Sequence, residues 1–154
     1  MKEITEGTKA PAFSAIDQDG EKIKLADFKG QKLALYFYPK DDTSSCTVQA
    51  CNLRDGFKAL EKKGITVVGV SPDDEKSHLK FIAKHKLPFR IIADTDKKVV
   101  EKYGVWGEKS MYGRKYMGVF RTTFLIDENG VVVKIISKPT VKVHAEEIAA
   151  GFGL

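Results

Sequence analysis

The sequence predicts an α/β fold with a mainly parallel central sheet. Short apolar runs rich in β-branched residues alternate with amphipathic stretches along the chain, a pattern typical of strands connected by helices. The amphipathic stretches are long enough for helices that cross from one parallel strand to the next. A length of 154 residues and a hydrophobic content of 42% suit one compact domain, residues 1–154, with a substantial core.

Five short apolar runs, each bounded by Gly, Pro or Asp, predict buried strands. They cover residues 32–38, 65–71, 89–93, 122–127 and 131–137. Two further segments have the composition of tight turns between antiparallel strands. One runs from Gln18 to Glu21 and the other from Asp127 to Gly130, so the second should join the last two strands as a hairpin.

Four amphipathic stretches predict helices at residues 46–63, 75–85, 97–103 and 143–150. Gly64 should end the first helix, and the segment from Ser71 to Asp74 should open the second. Residues 106–118 contain three glycines and are the longest irregular candidate, so a mobile loop is expected there.

Four aromatic residues lie close together in and after this irregular stretch. A hydrophobic collar over a pocket and a partner-docking patch are both open, although plain core packing is the favoured interpretation. The residues are Trp106, Tyr112, Tyr116 and Phe120.

Charge and hydropathy argue against nucleic-acid and membrane partners. The net charge is +5, but 26 basic residues are interleaved with 21 acidic ones, without the blocks of like charge typical of interaction tails. The densest basic stretch, residues 80–86, has the spacing of a solvated helix face. No apolar run approaches membrane-spanning length. The first residues lack an apolar signal region, so a cytoplasmic location is expected.

The two cysteines are the clearest chemical signal. Cys46 and Cys51 lie where an apolar run gives way to turn residues and then to helix-forming ones. A thiol in the first turn of a helix faces unpaired N–H groups and the positive end of the helix dipole, which favour the thiolate. Two cysteines in an unexported chain are more often reactive than structural. The alternative is a pair of small buried hydrophobic residues.

The spacing of the cysteines sets a geometric condition on any disulfide between them. On an ideal helix, residues five apart have Cα atoms about 8.6 Å apart. A disulfide requires roughly 4.4 to 6.8 Å. If both cysteines are helical in the reduced protein, forming the bond must unwind that turn.

The motif Pro39-x-x-x-Thr43-x-x-Cys46 resembles the peroxiredoxins, and the second cysteine five residues on narrows the resemblance to the bacterioferritin comigratory protein, or PrxQ, type. Matching segments follow in order along practically the whole chain, at residues 7–13, 36–43, 52–55, 69–71 and 116–127. The resemblance implies a thioredoxin-like fold with a central mixed sheet flanked by helices. It also implies a thiol peroxidase for hydrogen peroxide and organic hydroperoxides, which thioredoxin or a similar dithiol regenerates without a metal or organic cofactor.

The resemblance also implies a role for each site residue. Cys46 is the peroxidatic thiolate, which becomes a sulfenic acid. The positive charge of Arg121 favours that thiolate, and its guanidinium can hold both peroxide oxygens. The Thr43 hydroxyl bonds the peroxide and the thiolate, and it can also cap the helix. Pro39 ends a strand and shields the pocket. Cys51 resolves the sulfenic acid to a disulfide, which an external dithiol reduces.

Two positions depart from the family pattern. Ser44 and Ser45 stand where this subfamily commonly has Pro-Gly, so altered loop dynamics are expected rather than lost chemistry. Gln49 stands where Glu is frequent. Its amide can form hydrogen bonds but cannot act as a charged base.

Other functions remain open but have weaker support. A thiol–disulfide oxidoreductase is compatible with the fold, but its usual Cys-x-x-Cys is absent. A redox sensor or binding module with a disulfide switch is the non-enzymatic alternative. A Cys–His protease lacks its sequence context, and His78, His85 and His144 are too far apart in sequence for a zinc-site spacing. The expected assembly is a monomer or weak dimer.

Overall fold

A computed structural model describes residues 4–154, which form a five-stranded sheet with helices packed against it and two small hairpins. The strands are β1 Ser14–Ile16, β2 Lys22–Lys24, β3 Lys32–Phe37, β4 Ile65–Ser71, β5 Arg90–Ala93, β6 Trp106–Met111, β7 Arg114–Val119, β8 Thr122–Ile126 and β9 Val132–Ile136. The helices are α1 Ser44–Asp55, α2 Phe57–Lys62, α3 Glu75–His85, α4 Lys98–Lys102 and α5 His144–Gly151, with 3-10 turns at Leu25–Phe28 and Val141–Val143. All five predicted central strands and the last three predicted helices are confirmed, with ends that agree within one residue.

The central sheet has the order β5-β4-β3-β8-β9. The pairings β3–β4 and β4–β5 are parallel, whereas β3–β8 and β8–β9 are antiparallel. The mixed sheet is therefore confirmed, and the description "mainly parallel" was too strong. The reason is that β8 follows the β6–β7 hairpin, not a crossover helix, and the turn at residues 127–130 returns the chain directly into β9. The predicted turn at residues 18–21 likewise joins the antiparallel pair β1–β2.

The hydrophobic core lies on both faces of this sheet. Successive β3 side chains point to opposite faces, so Leu33, Leu35 and Phe37 belong to one cluster and Tyr36 to the other. The Tyr36 face is covered by α1, α2, α3 and α5, and Cys46 is part of that cluster. None of the helices in residues 4–154 has the length and apolarity to cross a membrane.

The predicted first helix at residues 46–63 is wrong as a single element. The structure has two helices, α1 and α2, divided at Gly56, and α1 starts earlier, at Ser44. A Cβ atom on Gly56 would lie 2.6 Å from the Cβ of Ala145. The close approach of α5 therefore requires a residue without a side chain at this break.

The predicted mobile loop at residues 106–118 is also wrong, because β6 and β7 form a regular antiparallel hairpin. Its turn residues Tyr112 and Gly113 both have positive φ, 53° and 78°, as two-residue hairpin turns of the right-handed twist require. The predicted core packing of the aromatic residues is wrong for three of the four: Tyr112 is 99% exposed, and Tyr116 and Phe120 are also exposed. Only Trp106 packs against the core.

Candidate active site

The Cys46 side chain lies buried in the first turn of α1. Thr43 occupies the N-cap position, and Cys46 follows three residues later with 2% of its surface exposed. Arg121 donates from Nη2 to the Cys46 sulfur at a distance of 3.2 Å. The sulfur therefore sits between the positive end of a helix and a guanidinium, both of which stabilise a thiolate.

Arg121 reaches Cys46 across 75 residues of sequence because of the sheet register. It immediately precedes β8, and Thr122 at the start of β8 pairs with Phe37 at the end of β3. The β3–α1 loop, residues 38–43, leaves the sheet at that same point. The antiparallel β3–β8 pairing thus brings the sequence-predicted arginine to the helix that carries the cysteine.

Gln49 is the second residue that Arg121 contacts. Its side-chain Oε1 accepts a hydrogen bond of 2.6 Å from Arg121 Nη1, and the residue is fully buried. The guanidinium therefore bridges Cys46 and Gln49, which lie one turn apart on the same face of α1.

Cys46 and Cys51 are both free thiols, and both lie within α1. Cys46 is buried, whereas Cys51 is partly exposed. Both cysteines are therefore helical in the reduced protein, and residues five apart on a continuous helix are too far apart for a disulfide. The structure brings the two thiols onto one helix without joining them.

Thr43 and Pro39 also lie in the loop next to Cys46, but only part of their expected geometry is present. The Thr43 hydroxyl donates to the Lys40 carbonyl at 2.9 Å, and no side-chain capping bond to the helix is formed. The expected side-chain cap is therefore not observed, and the hydroxyl instead bonds within the loop. Pro39 is partly buried just beyond β3, and its shielding role stays a prediction.

A buried polar network, which was not predicted from the sequence, holds the β3–α1 loop in place. The Asp41 carboxylate accepts hydrogen bonds from the Tyr38 hydroxyl at 2.5 Å and the Ser77 hydroxyl at 2.8 Å, and it lies 2.7 Å from His78 Nδ1. His78 Nε2 faces the Ile92 carbonyl at 3.0 Å and must therefore carry a proton. No local pattern signals this pairing, because Asp41 and His78 are 37 residues apart.

Asp73 completes this network, accepting from the Asp41 backbone N–H at 2.7 Å and from the Ser71 hydroxyl at 2.8 Å. The ligand atoms of Asp41, Asp73 and His78 lie within 4.8 Å of one another, a grouping that could hold a metal ion. However, these atoms already form hydrogen bonds with each other and with neighbouring groups. We interpret the cluster as a structural anchor.

The C-terminal half of α1 is held by a separate set of contacts. Asn52 donates from Nδ2 to the Lys142 carbonyl at 2.7 Å and accepts from the Ala145 N–H at 2.8 Å. Arg54 donates to the His85 carbonyl at 2.8 Å. The segment after Cys51 is thus fastened to α5 and α3.

Two groups around the site have perturbed pKa values. Burial raises the pKa of Tyr36 well above its usual value, and the nearby Cys46 charge raises it further. Burial lowers the pKa of Lys109 on β6, and the positive charge of Arg121 acts in the same direction. Lys109 also donates to the Val119 carbonyl at 2.9 Å. The β6–β7 hairpin therefore borders the site.

Comparison with known proteins gives a consistent result. Residues 7–135 match the AhpC/TSA family. The chain is 47% identical over 145 residues to a putative peroxiredoxin bcp of Coxiella burnetii, covering 94% of this chain and 96% of that one. It is also 47% identical over 132 residues to peroxiredoxin Bcp of Escherichia coli, covering 86% and 85%.

Solved structures agree with this match. A cysteine-to-serine mutant of PrxQ from Xylella fastidiosa superimposes with a TM-score of 0.92 at 29% identity, covering 99% and 98% of the two chains. A cysteine-to-serine mutant of peroxiredoxin Q from Xanthomonas campestris gives a TM-score of 0.85 at 33% identity, covering 92% and 90%. The expected thioredoxin-like fold is confirmed.

Together with the thioredoxin-like fold, these relatives show that the chain is a thiol peroxidase. The chain belongs to the AhpC/TSA family, and its relatives place it among the peroxiredoxins of the bacterioferritin comigratory protein type.

Proposed function

We propose that Cys46 is the peroxidatic residue and Cys51 the resolving residue of this peroxidase. The observation that carries the assignment is the 3.2 Å contact from Arg121 Nη2 to the buried Cys46 sulfur. A thiolate held there attacks one peroxide oxygen, so that an S–O bond forms and the O–O bond breaks. The departing oxygen takes a proton from solvent and leaves as water or an alcohol.

Resolution then joins the two cysteines. The Cys51 thiolate attacks the Cys46 sulfur, the hydroxyl group of the sulfenic acid leaves as water after taking a proton, and a disulfide remains. An external dithiol reduces that disulfide by exchange. Because both cysteines start within α1, this step requires α1 to unwind.

Arg121, Thr43 and Pro39 complete the proposed site. Arg121 supplies a fixed charge and two donors in a planar fork. Thr43 is exposed beside the turn that carries Cys46, and its hydroxyl oxygen can still accept hydrogen bonds while it donates to Lys40. Pro39 contributes a rigid loop wall.

We further propose hydrogen peroxide and organic hydroperoxides as substrates, and a thioredoxin-type dithiol as reductant. The Xanthomonas campestris bacterioferritin comigratory protein, a structural neighbour, has been studied for alkyl peroxide reduction, which supports the organic class. A cytoplasmic location suits the cysteine chemistry, since a reducing compartment returns the thiols to their reactive form. The proposed assembly is a monomer or weak dimer.

Stopped-flow mixing with hydrogen peroxide tests the assignment. Cys46→Ser should abolish peroxide consumption, and undiminished consumption would contradict the role of Cys46. Cys51→Ser should keep the first turnover and slow recycling by thioredoxin, because only resolution uses that thiol. If the wild-type protein oxidised rapidly but recycled only slowly with thioredoxin, a redox switch would be the better description.

A further inference from the structure

The Gln49 side chain contains a buried donor that the reduced protein does not use. Arg121 Nη1 donates to this side chain at 2.6 Å, and a guanidinium has no acceptor atom. The amide atom that faces it must therefore be the oxygen, which fixes the orientation of the amide. The nitrogen Nε2 is then the other atom, and it has no hydrogen-bond partner within residues 4–154.

An unpaired buried donor is unfavourable, and most buried polar atoms avoid this state. This one belongs to a side chain that shares its arginine with the Cys46 sulfur. The same guanidinium that holds Gln49 through Nη1 holds Cys46 through Nη2, and the two residues share one face of α1. A peroxide that reacts with Cys46 brings two oxygen atoms to this site, and both can accept hydrogen bonds.

We infer that Gln49 is a further catalytic residue, whose amide nitrogen donates to the peroxide oxygen that departs when Cys46 attacks. This inference rests on the proposed role of Cys46. Negative charge grows on the departing oxygen as the O–O bond breaks, and a preorganised donor stabilises that charge. Gln49 transfers no proton. Because the amide is neutral, it also holds Arg121 without cancelling the positive charge beside the sulfur.

The other buried donor without a partner is the hydroxyl of Tyr36, again among residues 4–154. Its ring lies over Gly69 on the neighbouring strand, where a Cβ atom would come 3.0 to 3.2 Å from the ring and hydroxyl. No hydrogen bond orients it toward Cys46 or Arg121. Tyr36 therefore offers a matched control for the loss of an unpaired donor.

The test compares two reactions of Cys46 in a Cys51→Ser background, which isolates the first chemical step. Gln49→Glu keeps an acceptor for Arg121 but no donor, and Gln49→Met removes both without adding charge. The rate constant with hydrogen peroxide is divided by that with iodoacetamide, each at its high-pH plateau. Iodoacetamide alkylates the same thiolate but expels iodide, so no oxygen needs stabilising. The ratio should fall roughly tenfold or more in both variants, as expected for loss of one donor to a developing oxyanion.

Two controls separate the donor from charge and packing. Val48→Glu adds a charge at the adjacent, exposed position of α1, and Tyr36→Phe removes the other unpaired donor. Both should keep the ratio within about twofold of the parent. A ratio that is unchanged in the Gln49 variants, or lowered equally by Tyr36→Phe, overturns the inference.

Thermal melts establish that each variant is folded, and Gln49→Met carries the test if the buried carboxylate prevents folding. Failure of the proposed function looks different. In that case Cys46→Ser would still consume peroxide, whatever the ratio in the Gln49 variants.

Discussion

The buried Asp41–His78 pair should contribute a large coupling energy to stability. The His78 side chain is fully buried and that of Asp41 is 4% exposed. His78→Leu leaves the carboxylate with only two hydroxyl donors, from Tyr38 and Ser77. Removing one partner of a buried pair typically destabilises by about 3–5 kcal/mol, whereas replacing both partners by apolar residues is often close to neutral.

Urea denaturation of Asp41→Ala, His78→Leu and the double variant measures this coupling directly. The double variant should lose at least about 2 kcal/mol less than the sum of the single losses. Lys84→Ala, which removes a solvent-exposed ion pair to Asp42 in the same loop, serves as the control and should shift the urea midpoint much less. Single losses that simply add would refute the reasoning, because they would mean that Asp41 and His78 stabilise the loop independently.

Three further outcomes follow from the contacts of α1 and α5. Disulfide formation should accelerate amide exchange across residues 46–51, and unchanged protection there would contradict the unwinding. Asn52→Ala removes two hydrogen bonds that together contribute about 1–3 kcal/mol. This variant should spread the faster exchange to the start of α5. Gly56→Ala should lower stability by about 1–3 kcal/mol through its clash with Ala145, and Ala145→Gly in the same chain should recover most of it in urea melts. Burial lowers the pKa of His144, so the unfolded chain binds this proton at higher pH than the folded one. Stability should therefore be full above about pH 6.5 and fall below it, by at most about 1.4 kcal/mol per pH unit from this residue, and His144→Gln should flatten the slope.

The placement of Pro39, Thr43 and Cys46 around the start of α1 could be predicted from the sequence because it depends on local signals. A strand that ends in a proline, a turn and a helix start put Pro39, Thr43 and Cys46 in one place, and the register of β8 brought Arg121 to them. The resemblance supplied the pairing of Cys46 with Arg121, which no spacing rule could give across 75 residues.

What the sequence did not predict depends on long-range contacts. The bonds of Asp41 to His78 and of Asn52 to α5 join segments that are distant in the chain, so no periodicity reports them. The β6–β7 hairpin was missed because its strands alternate few apolar residues and largely face solvent. The division between α1 and α2 was missed because a single glycine within a helical pattern is often tolerated.

That division at Gly56 limits how much of the protein must rearrange in each cycle. α1 is a twelve-residue segment with both cysteines in its first eight positions. Asn52, whose side chain bonds to the Lys142 carbonyl and the Ala145 N–H, follows directly after them. Unwinding can therefore stop before the junction where Gly56 lies against Ala145. The neighbouring α2 and α5 can then remain packed against the sheet throughout the cycle. After reduction, α1 refolds onto this preformed surface, so the helix packing does not have to form again.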